Sequence, residues 1–321
     1  MKIELAREQI IRTGVELLEK GLVARTWGNI SCRVDADESS YEGGSFVITP
    51  SGRDYNTMKA EDIVEISLSN YKYTSDIEPS MEYKIHGEVY RIKENANFVI
   101  HTHPSSASAV SAMGLDAVQL KSDYFGIGNF ILCAGYGMAG SMRLYGNVAK
   151  ALKETAGNAV IMKNHGALCF GETKEEAMLV ALNLEKACSE YIRGIGVEPW
   201  EKDDWNYEPW IRNSVIDKYM MIRSTLPAYI DDFAQMVGPE LAILESCTDE
   251  DIAKADAESR PLMVKGKGVY TNGVDKEAMA LVIDKNCRAA LAALGVKPLD
   301  PFRTRYMNKL YTKKYSKLIE E

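Results

Sequence analysis

The sequence predicts an α/β protein of three-layer, α+β-like type: a central mixed or antiparallel sheet flanked by helices, followed by a mainly helical C-terminal extension. Two observations predict it. Short apolar runs of strand length, among them SFVIT, NFVIH, NAVIMKN and ALCFG, alternate with longer segments of helical period. The alternation stops near Gly196, where EPWEKDDWNYEPW forms a joint rich in proline, tryptophan and acid. A chain of 321 residues corresponds to about two domains, and the joint sets them at 1–196 and 197–321.

In order along the chain, Ile3, Ile10, Val15, Leu17 and Leu18 fall near helical spacing, and Gly21 ends that helix. TWGNISCRV reads as a turn entering a strand, DADESSYEGGS as a polar hairpin connection, SFVIT as the next strand and PSG as a turn. DIVEISL and YKYT read as further short strands. Pro79 and Ser80 open a helix over SMEYKIHGEVYRIKEN, with Ser80 as N-cap and Glu82 in the first turn. NFVIH is an apolar strand running into His101, Thr102 and His103. Pro104 then starts a helix that Gly114 closes. Residues 126–140 are glycine-rich loop and short strand, and MRLYGNVAKALKE is helical. NAVIMKN is a buried-type strand ending at His165, ALCFG is its neighbour, and TKEEAMLVALNLEKACSEYIRG is a long helix with Thr173 as N-cap.

Beyond the joint the pattern is mostly helical. One stretch there, MVKGKGVYTNGVDKEAMALVI (263–283), resembles MKNHGALCFGETKEEAMLVAL (162–182), with Lys267 where the first has His165. The extension is therefore either a degenerate partial repeat or a similar strand–turn–helix unit of separate origin.

Lys and Arg number 38 against 46 Asp and Glu, and the net charge of −8 excludes a broad basic footprint for nucleic acid. The basic run from Arg303 to Lys317 reads as a solvated amphipathic helix. Cys32, Cys133, Cys169, Cys188, Cys247 and Cys287 contain no CxxC pair, which fits reduced thiols rather than a disulfide framework or cysteine zinc site. The charged N-terminal segment has no apolar signal-peptide core, and no apolar run reaches the ~18–20 residues of a membrane span. A cytoplasmic protein without membrane or nucleic-acid partners is expected.

The four histidines are His86, His101, His103 and His165. On a strand, residues i and i+2 point to the same side, so His101 and His103 can bind one ion together. His165 can add a third nitrogen and Glu82 an oxygen, a set that suits zinc and also accepts manganese, iron or cobalt. The same residues also fit satisfied core histidines. Asn29, Ser51, Gly52 and Ser80 sit at turns whose hydroxyls and backbone N–H groups can cradle a phosphate. His86, four residues after Glu82, is either a hydrogen-bonding support or a surface residue.

TWGNIS, ITPSG, PSMEYKIH, VIHTHP and KNHGAL follow one another between residues 26 and 168. With these motifs in this order, residues 3–195 resemble the class II aldolase/adducin family, which includes sugar-phosphate aldolases and 4-epimerases. The resemblance implies the class II aldolase fold and a metal-dependent lyase that cleaves or forms a C–C bond in a sugar phosphate through an enediolate. It places the metal ligands on Glu82, His101, His103 and His165, with Glu82 also the acid/base. The phosphate contacts fall on Asn29, Ser51, Gly52 and Ser80. Two positions depart from the family: Met81 replaces a serine, and Leu120 stands where the aldolases have a proton-donating tyrosine. SDYFGIGNFILC resembles the epimerase segment whose acid/base aspartate falls on Asp123, so either Asp123 or Tyr124 supplies that proton or the two are a loop-capping aspartate and a packing tyrosine. A ketopentose-phosphate 4-epimerase, or a dehydratase or decarboxylase of the same fold, remains the alternative. A non-catalytic adducin-like interaction module disagrees with the intact ligand set. The resemblance further implies a homo-oligomer, with a tetramer favoured and sites formed between subunits.

Overall fold

The computed structural model describes residues 1–201 and 207–314. Helix α1 (Ile3–Glu19) buries Ala6, Ile10, Thr13, Gly14 and Leu17, one face at helical spacing. Gly21, with φ 67, closes it in the left-handed conformation that a side chain resists. Strands β1 (Asn29–Arg33), β2 (Ser45–Ile48) and β3 (Val64–Ser67) form a meander. There follow α2 (Tyr83–Ile92), β4 (Phe98–Thr102), α3 (Ser105–Ser111), β5 (Ala117–Tyr124), β6 (Gly128–Ala134), α4 (Met142–Glu154), β7 (Ala159–Met162), β8 (Ala167–Gly171) and α5 (Lys174–Gly194).

These eight strands make one sheet in the order β3-β2-β1-β4-β8-β7-β6-β5. Every neighbour is antiparallel except β6 and β7, whose parallel pairing requires a crossover, and α4 supplies it. Helices α2 and α4 cover one face, where Val89, Leu144 and Val148 pack with Phe46, Ile66, Val99, Leu168 and Phe170. β4, β7 and β8 are buried along their whole length, which explains their continuous apolar runs.

Some expectations change. YKYT is not a strand: Tyr71 has φ 61 and turns its hydroxyl to Glu88 Oε1 at 2.9 Å, under the Arg91 guanidinium. Ser80 is not the cap of α2, which begins after Glu82, and its hydroxyl instead accepts from the Glu82 N–H at 3.3 Å. Thr173 does accept the Glu176 N–H at 3.2 Å, as a cap should. Strand β5 lies at the sheet edge with an exposed outer half, so its sequence carries no apolar run.

The C-terminal part is mainly helical but also holds a second sheet. Its elements are β9 (Trp210–Ile211), α6 (Ser214–Ile222), β10 (Thr225–Pro227), α7 (Asp231–Met236), β11 (Glu240–Leu244), α8 (Asp249–Glu258), β12 (Leu262–Val264), β13 (Gly268–Tyr270), α9 (Lys276–Ala292) and α10 (Pro301–Lys314). The strand order is β10-β11-β12-β13-β9. Strands this short leave no periodic signal in the sequence. The basic run from Arg303 is helical as far as Lys314, and its last residues lie outside the described ones, as does the middle of the joint.

Dense contacts divide the chain into one unit of Met1–Ala107 with Leu115–Ala187, and another of Ser108–Gly114 with Cys188–Glu321. No disulfide joins any of the six cysteines, and no helix among the described residues is long and apolar enough to cross a membrane.

Gly28 has φ +79, and a Cβ there would lie 2.6 Å from the His101 carbonyl oxygen. Gly128 has φ +76 but open space around it. Gly128→Ala should therefore cost only the left-handed strain, about 1–2 kcal/mol, whereas Gly28→Ala adds a backbone clash and should cost clearly more. Urea denaturation of the two variants checks this difference.

Candidate metal centre

Strand β4 carries His101 near its end, and His103 follows it two residues on, so both imidazoles emerge on one side. The β7–β8 turn delivers His165. There Asn164 takes φ 59, a conformation asparagine tolerates, and the His165 N–H donates to the Met162 carbonyl at 3.1 Å. The next residue must be glycine: a Cβ on Gly166 would sit 2.4 Å from the Thr102 oxygen and 3.1 Å from the His103 ring. This close approach holds the turn against β4.

His103 Nε2 lies 2.8 Å from His101 Nε2, which lies 3.2 Å from His165 Nε2. Glu82, at the start of α2, completes the group: Oε2 is 3.1 Å from His101 Nε2 and Oε1 is 3.1 Å from His165 Nε2. All four residues are buried. His101 Nδ1 is 2.9 Å from the Ala167 carbonyl, which can only accept, so the proton sits on Nδ1 and the Nε2 lone pair faces inward. That lone pair meets the Glu82 carboxylate, and Glu82 Oε1 has no hydrogen-bond partner. Such crowding of electron-rich atoms fits a cation at their centre. Ligand bonds of about 2.0–2.1 Å in a tetrahedron separate the donors by roughly 3.3–3.4 Å, slightly more than the spacing seen.

Burial alone would raise the Glu82 carboxyl, but positive charge and hydrogen bonds from His101 and His165, when these rings are protonated in the metal-free protein, outweigh it and hold the group well below the usual carboxylate range. Asn29 Nδ2 donates to Glu82 Oε2 at 2.9 Å. The Asn29 Oδ1 accepts from His86 Nε2 at 2.5 Å, and His86 Nδ1 accepts from the Ser31 hydroxyl at 2.7 Å. The Tyr90 hydroxyl, 2.6 Å from Ser31 Oγ, ends the chain. Burial, with His101 adding and Glu82 opposing, pushes His86 down to about 3, so it is a neutral link. His86 is thus no surface residue. Its spacing of four from Glu82 on a helix was the available signal.

The other expected residues separate into two groups. The Ser51 N–H donates to Glu78 at 2.9 Å and the Ser80 N–H to Thr49 at 3.0 Å, so the loops carrying Ser51, Gly52 and Ser80 run paired beside Glu82. Asn29 lies deeper, with its amide already held by Glu82 and His86. Met81 is 42% exposed. Asp123 and Tyr124 sit on β5, four strand spacings or roughly 19 Å across the sheet from β4. One chain does not bring them to the histidines, and Leu120 is buried on the same strand.

A family model for the Class II Aldolase and Adducin N-terminal domain matches residues 8–192. The L-fuculose phosphate aldolase of Haemophilus influenzae is 31% identical over 188 residues, which is 58% of this chain and 82% of that protein. An L-fuculose 1-phosphate aldolase of known structure aligns with a TM-score of 0.52 at 26% identity, over 62% of this chain and 91% of its own. YgbL from Klebsiella pneumoniae shares the fold, with a TM-score of 0.53 at 23% identity over 61% of this chain and 92% of its own.

The neutral state of His86 has a consequence for pH. Its folded value of about 3 lies below the ordinary 6.5, so the unfolded chain takes up the proton first. Metal-free protein should therefore lose stability as pH falls from 6.5 to 5, by up to about 1.4 kcal/mol per unit. That window lies above the titration of Glu82. Urea midpoints at three pH values should show this slope, and His86→Gln should flatten it.

Proposed function

The chain belongs to the class II aldolase and adducin family, and from that membership we propose that it is a metal-dependent aldolase acting on a sugar phosphate. One observation carries the reading: His101, His103, His165 and Glu82 converge on one buried point from three separate elements. Relatives named as fuculose phosphate aldolases support a phosphorylated deoxy-sugar as the first substrate to test.

In this reading the three imidazoles and Glu82 hold a divalent cation, zinc first, with manganese, iron or cobalt accepted by the same donors. When bound, the cation supplies the Lewis acidity that polarises the substrate carbonyl. Glu82 moves the proton. Its Oε1, free of hydrogen bonds, is the atom for that task, while Asn29 holds Oε2 in place. The relay through His86, Ser31 and Tyr90 fixes the Asn29 amide, so Asn29 positions Glu82 at the edge of the phosphate-binding loops. Ser51, Gly52 and Ser80, on paired loops, hold the phosphate and so place the reacting carbons. Asp123 or Tyr124 can enter the site only from a second copy, which accords with a homo-oligomer, a tetramer first.

Cleavage of L-fuculose 1-phosphate, followed by release of dihydroxyacetone phosphate, tests the reading. Activity should disappear on chelation and return with zinc, cobalt or manganese. Glu82→Ala should lower turnover by about 10²–10⁴-fold while the protein stays folded. A loss under about tenfold, only ~1.4 kcal/mol of barrier, removes Glu82 as the proton carrier. Asp123→Asn should slow an aldolase and abolish an epimerase, which separates those two activities.

A further inference from the structure

The two sheets follow one strand plan. In the first unit β4-β8-β7-β6-β5 pair antiparallel, antiparallel, parallel and antiparallel. In the second, β9-β13-β12-β11-β10 repeat that series. Each parallel pair is joined by a single helix, α4 or α8, and each run ends in a long helix, α5 or α9. The second and third strands of each series are joined by the same kind of turn. Lys163, Asn164 and His165 lie between Met162 and Gly166, and Lys265, Gly266 and Lys267 lie between Val264 and Gly268. The middle residues take φ 59 and φ 74. The last residue of each turn, His165 or Lys267, donates its N–H at 3.1 Å to Met162 or Val264. The first, Lys163 or Lys265, donates to Ala134 at 3.1 Å or Leu244 at 2.9 Å.

Register carries the match to the ligand positions. Leu168, two residues after Gly166, faces His101; Tyr270, two after Gly268, faces Trp210. Trp210, Arg212 and Lys267 therefore stand where the first unit has His101, His103 and His165. Helix α6 begins two residues after Arg212, as α3 begins two after His103. The side chains at these positions also gather on the matching turn in both units, buried in the first and exposed at Arg212 and Lys267 in the second. The His101 and His165 rings lie 5.1 Å apart, and Lys267 Nζ lies 5.6 Å from the Trp210 ring. His103 packs on His165 at 4.9 Å, and Arg212 donates to the Gly266 carbonyl in the matching turn at 2.9 Å.

We propose that the C-terminal unit is a decayed second copy of the histidine-bearing half-fold, in which two fixed cations at a converted metal site replace the ion. The formal charge is kept. A divalent ion with Glu82 sums to one positive charge, as do Arg212 and Lys267 with Asp217, which pairs with Arg212 at 2.9 Å. The converted site keeps the charge without the Lewis acid, so it takes no metal and does no carbonyl chemistry. Its backbone still presents three ligand positions, and Cys247 Sγ, 3.5 Å from Lys267 Nζ, offers a fourth donor. Three imidazoles and a thiolate suit a tetrahedral ion.

The test restores the ligands in the full chain: Trp210→His, Arg212→His and Lys267→His together, in a His101→Ala, His165→Ala background. That background makes the count independent of the first site and of the catalytic reading. Cobalt(II) is the probe. The background alone should bind none, and the restored chain should bind one per chain, with visible absorption and a thiolate band that Cys247→Ser removes. Cobalt held by the second unit before restoration overturns the proposal, as does no cobalt in a restored chain whose circular dichroism matches the background. Should the triple substitution prevent folding, Arg212→His with Lys267→His leaves two imidazoles and Cys247. Weaker but measurable cobalt binding is then expected, and none overturns the proposal.

Discussion

A carboxylate buried to 7% exposure among three imidazoles is the constraint on which the N-terminal unit depends. Burial penalises the charged form, and only facing positive or hydrogen-bonding groups reverse that penalty. The fold meets the demand from several directions. β4 brings two imidazoles, the β7–β8 turn brings the third, and Asn29 on β1 brings a donor amide. Glycines at 28 and 166 leave the space these approaches need, because a side chain at either would strike backbone next to the histidines. The sheet order, with β1 and β8 on either side of β4, follows from the same need.

Much of this was legible in the sequence, for physical reasons. A strand has period two, so the spacing of His101 and His103 is enough to pair them. β8 and α4 have the bounds that ALCFG and MRLYGNVAKALKE suggest, since a full apolar run or a clear helical stripe leaves little choice. The role of His86 stayed open, because a helical spacing of four says which face is shared and not what lies opposite. Asn29 is the sharper lesson. Its turn-like surroundings suggested a phosphate contact; what they could not show is that the amide is also held between Glu82 and His86, partners that lie 53 and 57 residues away along the chain.

The second unit was harder to read because its strands are two to five residues long. Their pairing comes from tertiary context rather than periodicity. What did survive in the sequence was the turn, KNHG against KGKG, because a tight left-handed turn restricts residue choice more than a strand does. Two buried ion pairs stand in this unit: Asp232 with Lys285 at 2.8 Å, and Asp284 with Arg288 at 2.9 Å. Three of the four residues belong to the buried face of α9, which is therefore not purely apolar.

The pairing of β4 with β8 also sets when the site can exist. His101 and His165 are 64 residues apart, and nothing local holds either beside the other. The intervening chain includes β5, β6 and the α4 crossover, so the ring of ligands closes only after a long loop has closed. Non-local pairing of this kind is slow compared with helix formation. A nascent chain that ends before His165 therefore carries two of the three imidazoles, and one that ends before β8 lacks the strand that holds the third against β4. Under the proposed metal role, ion capture belongs to the end of folding and cannot template its beginning.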